Sequence, residues 1–253
     1  MTPSQQPILQ TINLEKHFGG LVAVNNVSLD IYPGEVVGLV GDNGAGKSTL
    51  IKMISGVYRP DGGKILLDGQ EVHFATPMEA RQRGIETIYQ DLALCENLDA
   101  PVNIFLGREP VRRTLGLFTV VNRSYMHDES QQVLDKLDIH IPNLNRPIRE
   151  MSGGQRQAVA IARAVYWNAR LMIMDEPTAA LAVAEQRKVY ELVRTLREQN
   201  VPVIIISHNL QDVFAVSDRI VVMRRGRKVG EVVTAETTTD EVVGLIVGAT
   251  AVA

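Results

Sequence analysis

The stretch EVVGLVGDNGAGKSTLIKMISG, residues 35–56, decides the architecture. It opens with EVVGLVG (35–41), apolar on successive residues rather than on alternate ones. A strand of that kind is covered on both faces, as parallel strands are. GDNGAGKST (41–49) follows, with Gly41, Gly46, Lys47 and Ser48 in the spacing G-x-x-x-x-G-K-[ST]. A helix is predicted over about 47–55, with Gly56 as its C-cap. Strand, glycine loop and helix make a phosphate cradle, because the glycines let backbone amides turn toward anionic oxygens. Lys47 is then expected to reach the β- and γ-phosphates of a nucleotide, and Ser48 to ligate Mg²⁺.

Working outward, ILQTINL (8–14) and VNNVSLDI (24–31) read as strands. KILLDGQEV (64–72) reads as a hairpin turning at Asp68-Gly69. Thr76-Pro77 opens a short helix that Gly84 closes. Residues 91–150 contain few β-branched runs and several loop-like patches, with one helix expected over 124–137. They read as a smaller helical subdomain inserted into the core. A strand (171–175), a helix (about 183–199) and a second strand (203–207) resume the alternation, and 220–223 with 228–233 form a hairpin. Alternating strands and helices define a layered α/β core with a mostly parallel sheet. Ligands of such a core sit outside the carboxyl ends of its strands.

Three of those strand ends carry chemistry. RLMIMDEP (170–177) is apolar until Asp175, which falls where a metal carboxylate is needed. Glu176 follows and is a candidate general base for water. IIISH (204–208) ends on His208, a candidate contact of the γ-phosphate, and IETIYQ (85–90) ends on Gln90, a candidate ligand of Mg²⁺ or of the water. A second anion site is suggested by MSGGQ (151–155). Ser152 is a good helix N-cap, yet Gly153 and Gly154 are costly in a first turn. What they offer is bare amides at an electropositive helix end.

The bulk properties narrow the class. The chain has 253 residues, a net charge of −3 and one cysteine, Cys95. Its pI is near 6.0, and nucleic-acid binders usually show a basic excess, so no nucleic-acid partner is expected. One cysteine allows no internal disulfide. The N-terminus shows no secretory pattern and no run is long enough to cross a bilayer. Work at a membrane would therefore be that of a peripheral subunit.

Together these residues resemble the nucleotide-binding subunit of ATP-binding cassette (ABC) transporters, over essentially the whole chain. GDNGAGKST resembles the Walker A loop, LMIMD the Walker B strand, Gln90 the Q-loop, MSGGQ the signature and His208 the switch histidine. The resemblance implies a P-loop NTPase core with an N-terminal antiparallel β subdomain and the inserted helical subdomain. It assigns 1–90 and 161–253 to the ATP-binding core and 91–160 to the signature subdomain, in one domain. It implies ATP and Mg²⁺ as cofactors, with Gly41, Asp42, Asn43, Gly44, Ala45, Gly46, Lys47, Ser48 and Thr49 around the phosphates and Phe18 against adenine. Ser48, Gln90 and Asp175 fall to the metal, and Glu176, His208, Gln90 and Lys47 to catalysis. Two copies are implied to pair head to tail, so that Ser152, Gly153, Gly154 and Gln155 cap the nucleotide of the partner.

The segments 88–109 and 175–181 look most like the cassettes of bacterial monosaccharide importers (ribose, xylose and fructose systems) in single-cassette form. Such a resemblance implies a polytopic permease and, indirectly, an extracytoplasmic sugar-binding protein as partners, and a place on the cytoplasmic face of the inner membrane. Residues 91–97 are expected to line the groove that docks the permease. A soluble cassette ATPase acting on DNA or ribosomes, or an export cassette, is the alternative. One position departs from the family: Ala182 stands where an aspartate is usual in the loop crossing the dimer interface. Arg108, Arg112 and Arg113 are expected on a solvated loop.

Overall fold

The computed structural model describes residues 6–89, 92–114, 118–179 and 181–249. The chain begins with two long antiparallel strands, β1 (Leu9–Phe18) and β2 (Leu21–Ile31). Strand β3 (Val36–Val40) leads into helix α1 (Lys47–Ile54). The hairpin β4 (Gly62–Leu67) and β5 (Gln70–Val72) turns through Asp68 and Gly69, both at positive φ (51° and 75°), as a tight hairpin turn requires. Helix α2 (Pro77–Gln82) starts on an N-cap Thr76 whose side chain accepts from the Glu79 amide, and β6 (Ile85–Ile88) follows.

The middle of the chain holds α3 (Ala100–Phe105), β7 (Val111–Thr114), β8 (Phe118–Val121) and α4 (Arg123–Lys136). The β7–β8 pair corrects the expectation of a purely helical insert. Its strands are four residues each and exposed along β8, so no buried face imposed an alternating pattern on the sequence. Arg112 and Arg113 lie exposed on β7, as a solvated segment would have them. Arg108 instead places its guanidinium 4.6 Å from the ring centre of Trp167.

The remainder is α5 (Gly153–Tyr166), β9 (Leu171–Asp175), α6 (Val183–Glu198), β10 (Val203–Ile206) and α7 (Leu210–Val216). The chain closes with the hairpin β11 (Arg219–Arg224) and β12 (Arg227–Val233), then α8 (Thr239–Val247).

Among the described residues one sheet runs β12-β11-β3-β10-β9-β6, parallel except for β12, and another, antiparallel, runs β2-β1-β4-β5. The unbroken apolar runs have their explanation here. On β10, Val203 and Ile205 face the layer of α3–α6, while Ile204 and Ile206 face α1 and the antiparallel sheet. Met172 and Met174 divide from Leu171 and Ile173 in the same way on β9. A sheet covered on both faces has no polar side to show. A third small cluster seats Val242 and Leu245 of α8 against Val40, Ile220 and Val222.

Arg219 ties the layers at the N-terminal end of β11. It is 5% exposed, and its guanidinium donates to Glu35 (2.8 and 2.9 Å), to Glu231, and to the Asp30 carbonyl (2.6 Å). Removing one member of such a buried set strands the others. Arg219→Met is expected to cost about 3–5 kcal/mol of unfolding free energy, read from urea denaturation. A cost below about 1 kcal/mol would show that the pair behaves as a surface ion pair.

Candidate functional site

The cradle is built by close approach. Gly41 has φ 145°, and a Cβ there would sit 2.1 Å from the Met223 carbonyl of β11. Gly46 has φ 101°, and its Cβ would meet the Ala23 carbonyl of β2 at 2.5 Å. Both positions need glycine for conformation and for space. Gly46 is also the N-cap of α1 and brings no side chain to that helix end. The first-turn amides are thereby left to an external acceptor. Lys47 folds back over the loop, its ammonium donating to the Gly41 carbonyl at 2.6 Å and the Asp42 carbonyl at 3.0 Å. Burial lowers its pKa, while the charges of Glu176 and Asp175 act to raise it.

Residues 43–49 line a cleft of about 560 Å³ together with Phe18, Leu21, Val22 and Arg225. Phe18 is 41% exposed at the end of β1, with the Tyr58 ring edge-on at 5.2 Å and the Lys16 ammonium 5.6 Å from its centre. An apolar ring is thus presented at the mouth of the phosphate loop. Arg225, in the β11–β12 turn at φ 48°, was not foreseen; only its place in a predicted turn hinted at exposure.

Asp175 ends β9 opposite Ile206 of β10. Burial first, and then the charge of Glu176, push its carboxyl above the ordinary range. Glu176 has φ 53°, a left-handed conformation rare for a residue with a side chain, and its amide donates to the Ile206 carbonyl at 2.8 Å. The turn aims its carboxylate at the next strand end. There it accepts from the His208 amide at 3.0 Å and pairs with His208 Nδ1 at 2.8 Å. His208, expected at the γ-phosphate, lies at the same strand edge with its ring against Glu176. Gln90, and Asp91 beside it, lie outside the described residues.

Ser152 and Gln155 close a reciprocal capping box on α5: the Gln155 amide donates to Ser152 Oγ at 3.3 Å and the Ser152 amide to Gln155 Oε1 at 3.0 Å. The double glycine has a packing reason beside any ligand. A Cβ on Gly153 would meet Leu181 Cδ2 at 2.8 Å, and one on Gly154 would meet Glu185 Cγ at 3.3 Å. The Gly154 amide donates to Glu185 Oε1 at 3.3 Å. Glu185 was missed because its partner is 31 residues away in sequence. Ala182 is the N-cap of α6 and supplies no side-chain cap. A smaller cleft, about 250 Å³, joins Glu176 and Gly153 to Leu92, Leu94 and Glu96.

A nucleotide-sized cleft over a glycine loop, with two carboxylates and a histidine on adjacent strand ends, defines a phosphate-loop nucleotide-binding protein. The family model for ABC transporters matches residues 24–179. The chain belongs to the ABC transporter family. It is 48% identical to the xylose/arabinose import ATP-binding protein XylG of Sulfolobus acidocaldarius, covering 93% of this chain and 92% of that protein. It is 44% identical to the fructose import ATP-binding protein FrcA of Rhizobium meliloti, covering 97% and 96%. Among solved structures, the ADP conformation of MJ1267, an ATP-binding cassette of an ABC transporter, matches with a TM-score of 0.82 and 27% identity, over 96% of this chain and 99% of that one.

Two outcomes follow for the apo protein. A carboxyl raised above its ordinary range loses its stabilising contribution as pH rises through that value. Asp175→Asn is therefore expected to raise Tm at neutral pH by about 2 °C, read by calorimetry; a fall would mean that attraction to Lys47 outweighs burial. Ala182→Ser supplies the missing cap and is expected to add about 1 kcal/mol of stability, read from urea denaturation.

Proposed function

We propose that this chain is the ATP-hydrolysing subunit that powers uptake of a monosaccharide through a membrane permease. The observation that carries the reading is the convergence of Lys47, Asp175, Glu176 and His208 at the carboxyl ends of β3, β9 and β10. Lys47 feels the charges of both carboxylates, and Glu176 holds His208 at 2.8 Å. The import names of relatives that match this chain over nearly their full length support the direction and the class of cargo.

The roles follow from the chemistry of each group. The first-turn amides of α1 and the Lys47 ammonium bind the nucleotide phosphates, the ammonium exchanging the Gly41 and Asp42 carbonyls for phosphate oxygens. Phe18 offers its exposed face to the base. Glu176 orients the attacking water and takes its proton, and His208 fixes the carboxylate that does so. Ser48, Asp175 and Gln90 would hold Mg²⁺; hydroxyl and carboxylate oxygens suit a hard cation, and a cation there would offset the burial and the Glu176 charge that raise the Asp175 carboxyl. When bound, Mg²⁺ neutralises charge developing on the phosphates.

A second copy is proposed to bring Ser152, Gly153, Gly154 and Gln155 over that nucleotide, in a homodimer closed by ATP and released by hydrolysis. Dimeric cassettes of the same fold agree with such an assembly. Residues 1–90 and 161–253 would form the ATP-binding core and 91–160 the signature subdomain. The segment 91–97 would face a polytopic permease, with a sugar-binding protein on the far side. Leu92 and Ala93 lend their carbonyls to Arg163 (3.3 and 3.2 Å), which links that segment to α5. Among the described residues no helix is long and apolar enough to cross a membrane. A peripheral place on the cytoplasmic face of the membrane fits that role.

Glu176→Gln tests the reading. Mg²⁺-dependent ATP hydrolysis should fall at least about a hundredfold, while ATP should drive the variant into a dimer on a sizing column. Unchanged hydrolysis would remove Glu176 from the role of base.

A further inference from the structure

Asp212 is 3% exposed, on the first turn of α7, and every acceptor site of its carboxylate is used. Oδ1 accepts from Asn209 Nδ2 at 3.0 Å and from the Tyr190 hydroxyl. Oδ2 accepts from Ser207 Oγ at 3.3 Å and from the Thr178 hydroxyl. Four neutral donors thus stabilise one buried charge, each contributing part of the compensation.

The donors come from places that matter. Ser207 and Asn209 flank His208, and Thr178 lies two residues beyond Glu176. The two loops whose side chains meet in the Glu176–His208 pair therefore meet again, underneath it, on Asp212. Ser207 adds a direct link. Its hydroxyl has one proton and two acceptors in range, Asp212 Oδ2 at 3.3 Å and Glu176 Oε2 at 3.5 Å. A strong acceptor at 212 draws that proton away from Glu176 and leaves the carboxylate to His208 and to water. Glu176 needs such support, since its left-handed φ of 53° is a conformation the surrounding structure must hold.

We infer that Asp212 is a positioning residue for hydrolysis, one that holds the Glu176 loop and the His208 loop in register through Thr178 on one side and Ser207 with Asn209 on the other. The Tyr190 hydroxyl, which reaches the same carboxylate from α6, anchors it without touching either loop. Burial and the bond to Asp212 push the Tyr190 phenol up to about 12, so it remains a donor across the working range. The inference rests on the proposed hydrolysis of ATP by Glu176.

Two single-hydroxyl deletions separate positioning from plain stabilisation. Thr178→Val and Tyr190→Phe each remove one hydrogen bond to the same carboxylate and should lower Tm by similar amounts. Only Thr178→Val severs the arm to the Glu176 loop. It is expected to reduce kcat for ATP about tenfold, with KM within about twofold, while Tyr190→Phe keeps kcat within about twofold. Asp212→Asn, which turns an acceptor into a donor facing donors, should lose kcat at least as far as Thr178→Val. Equal kcat in Thr178→Val and Tyr190→Phe, or kcat that follows Tm across both, would overturn the inference and leave the function intact. No hydrolysis by the unmodified chain would overturn the functional reading itself.

Discussion

Backbone contact without room for a side chain is the constraint on which the molecule depends. At Gly41 the chain turns out of β3 against the Met223 carbonyl, and at Gly46 it turns into α1 against the Ala23 carbonyl. Two short approaches thereby lock the central sheet, the first helix and the antiparallel sheet around one loop. The loop cannot relax outward, because Lys47 is tied to its carbonyls and Ala45 to the β11–β12 turn through the Gly226 amide. A nucleotide meets amides already aimed at it, and little ordering remains to be done on binding.

Charge at the site is arranged with the same economy. Asp175 and Glu176 are consecutive and of like sign, and burial together with the charge of Glu176 raises the Asp175 carboxyl. Lys47 answers part of that repulsion from across the loop. Glu176 accepts from the His208 amide and pairs with His208 Nδ1. The two carboxylates are thus separated in role by their surroundings: one is held ready by hydrogen bonds, the other lies buried beside a like charge, a strain that a cation would relieve.

The double glycine of α5 carries two explanations at once, and they are compatible. It lets Leu181 and Glu185 pack within contact distance of the first helical turn, and it leaves the Gly154 amide open to Glu185 Oε1. Leu181 of the loop after Glu176 and Glu185 of α6 are thereby packed against the N-terminus of α5.

Much of this was legible in the sequence, because local rules were enough. Apolar runs without alternation announced a sheet buried on both faces, and Gly41, Gly46 and Lys47 announced the cradle by spacing alone. Asp175, Glu176 and His208 could be read as strand ends, since a parallel sheet brings its carboxyl ends to one edge. The β7–β8 hairpin escaped because its short strands have no core to pattern them. Glu185, Asp212 and the Arg219 cluster escaped because each has a partner 12 to 189 residues away, reaching it from another element. That functional strand ends gather at one edge follows from a buried parallel sheet, which the unbroken apolar runs announce. Which side chain takes the proton of Ser207, and which carboxylate His208 faces, was decided only by tertiary packing, because buried polar groups choose partners among whatever the fold brings within 3 Å or so.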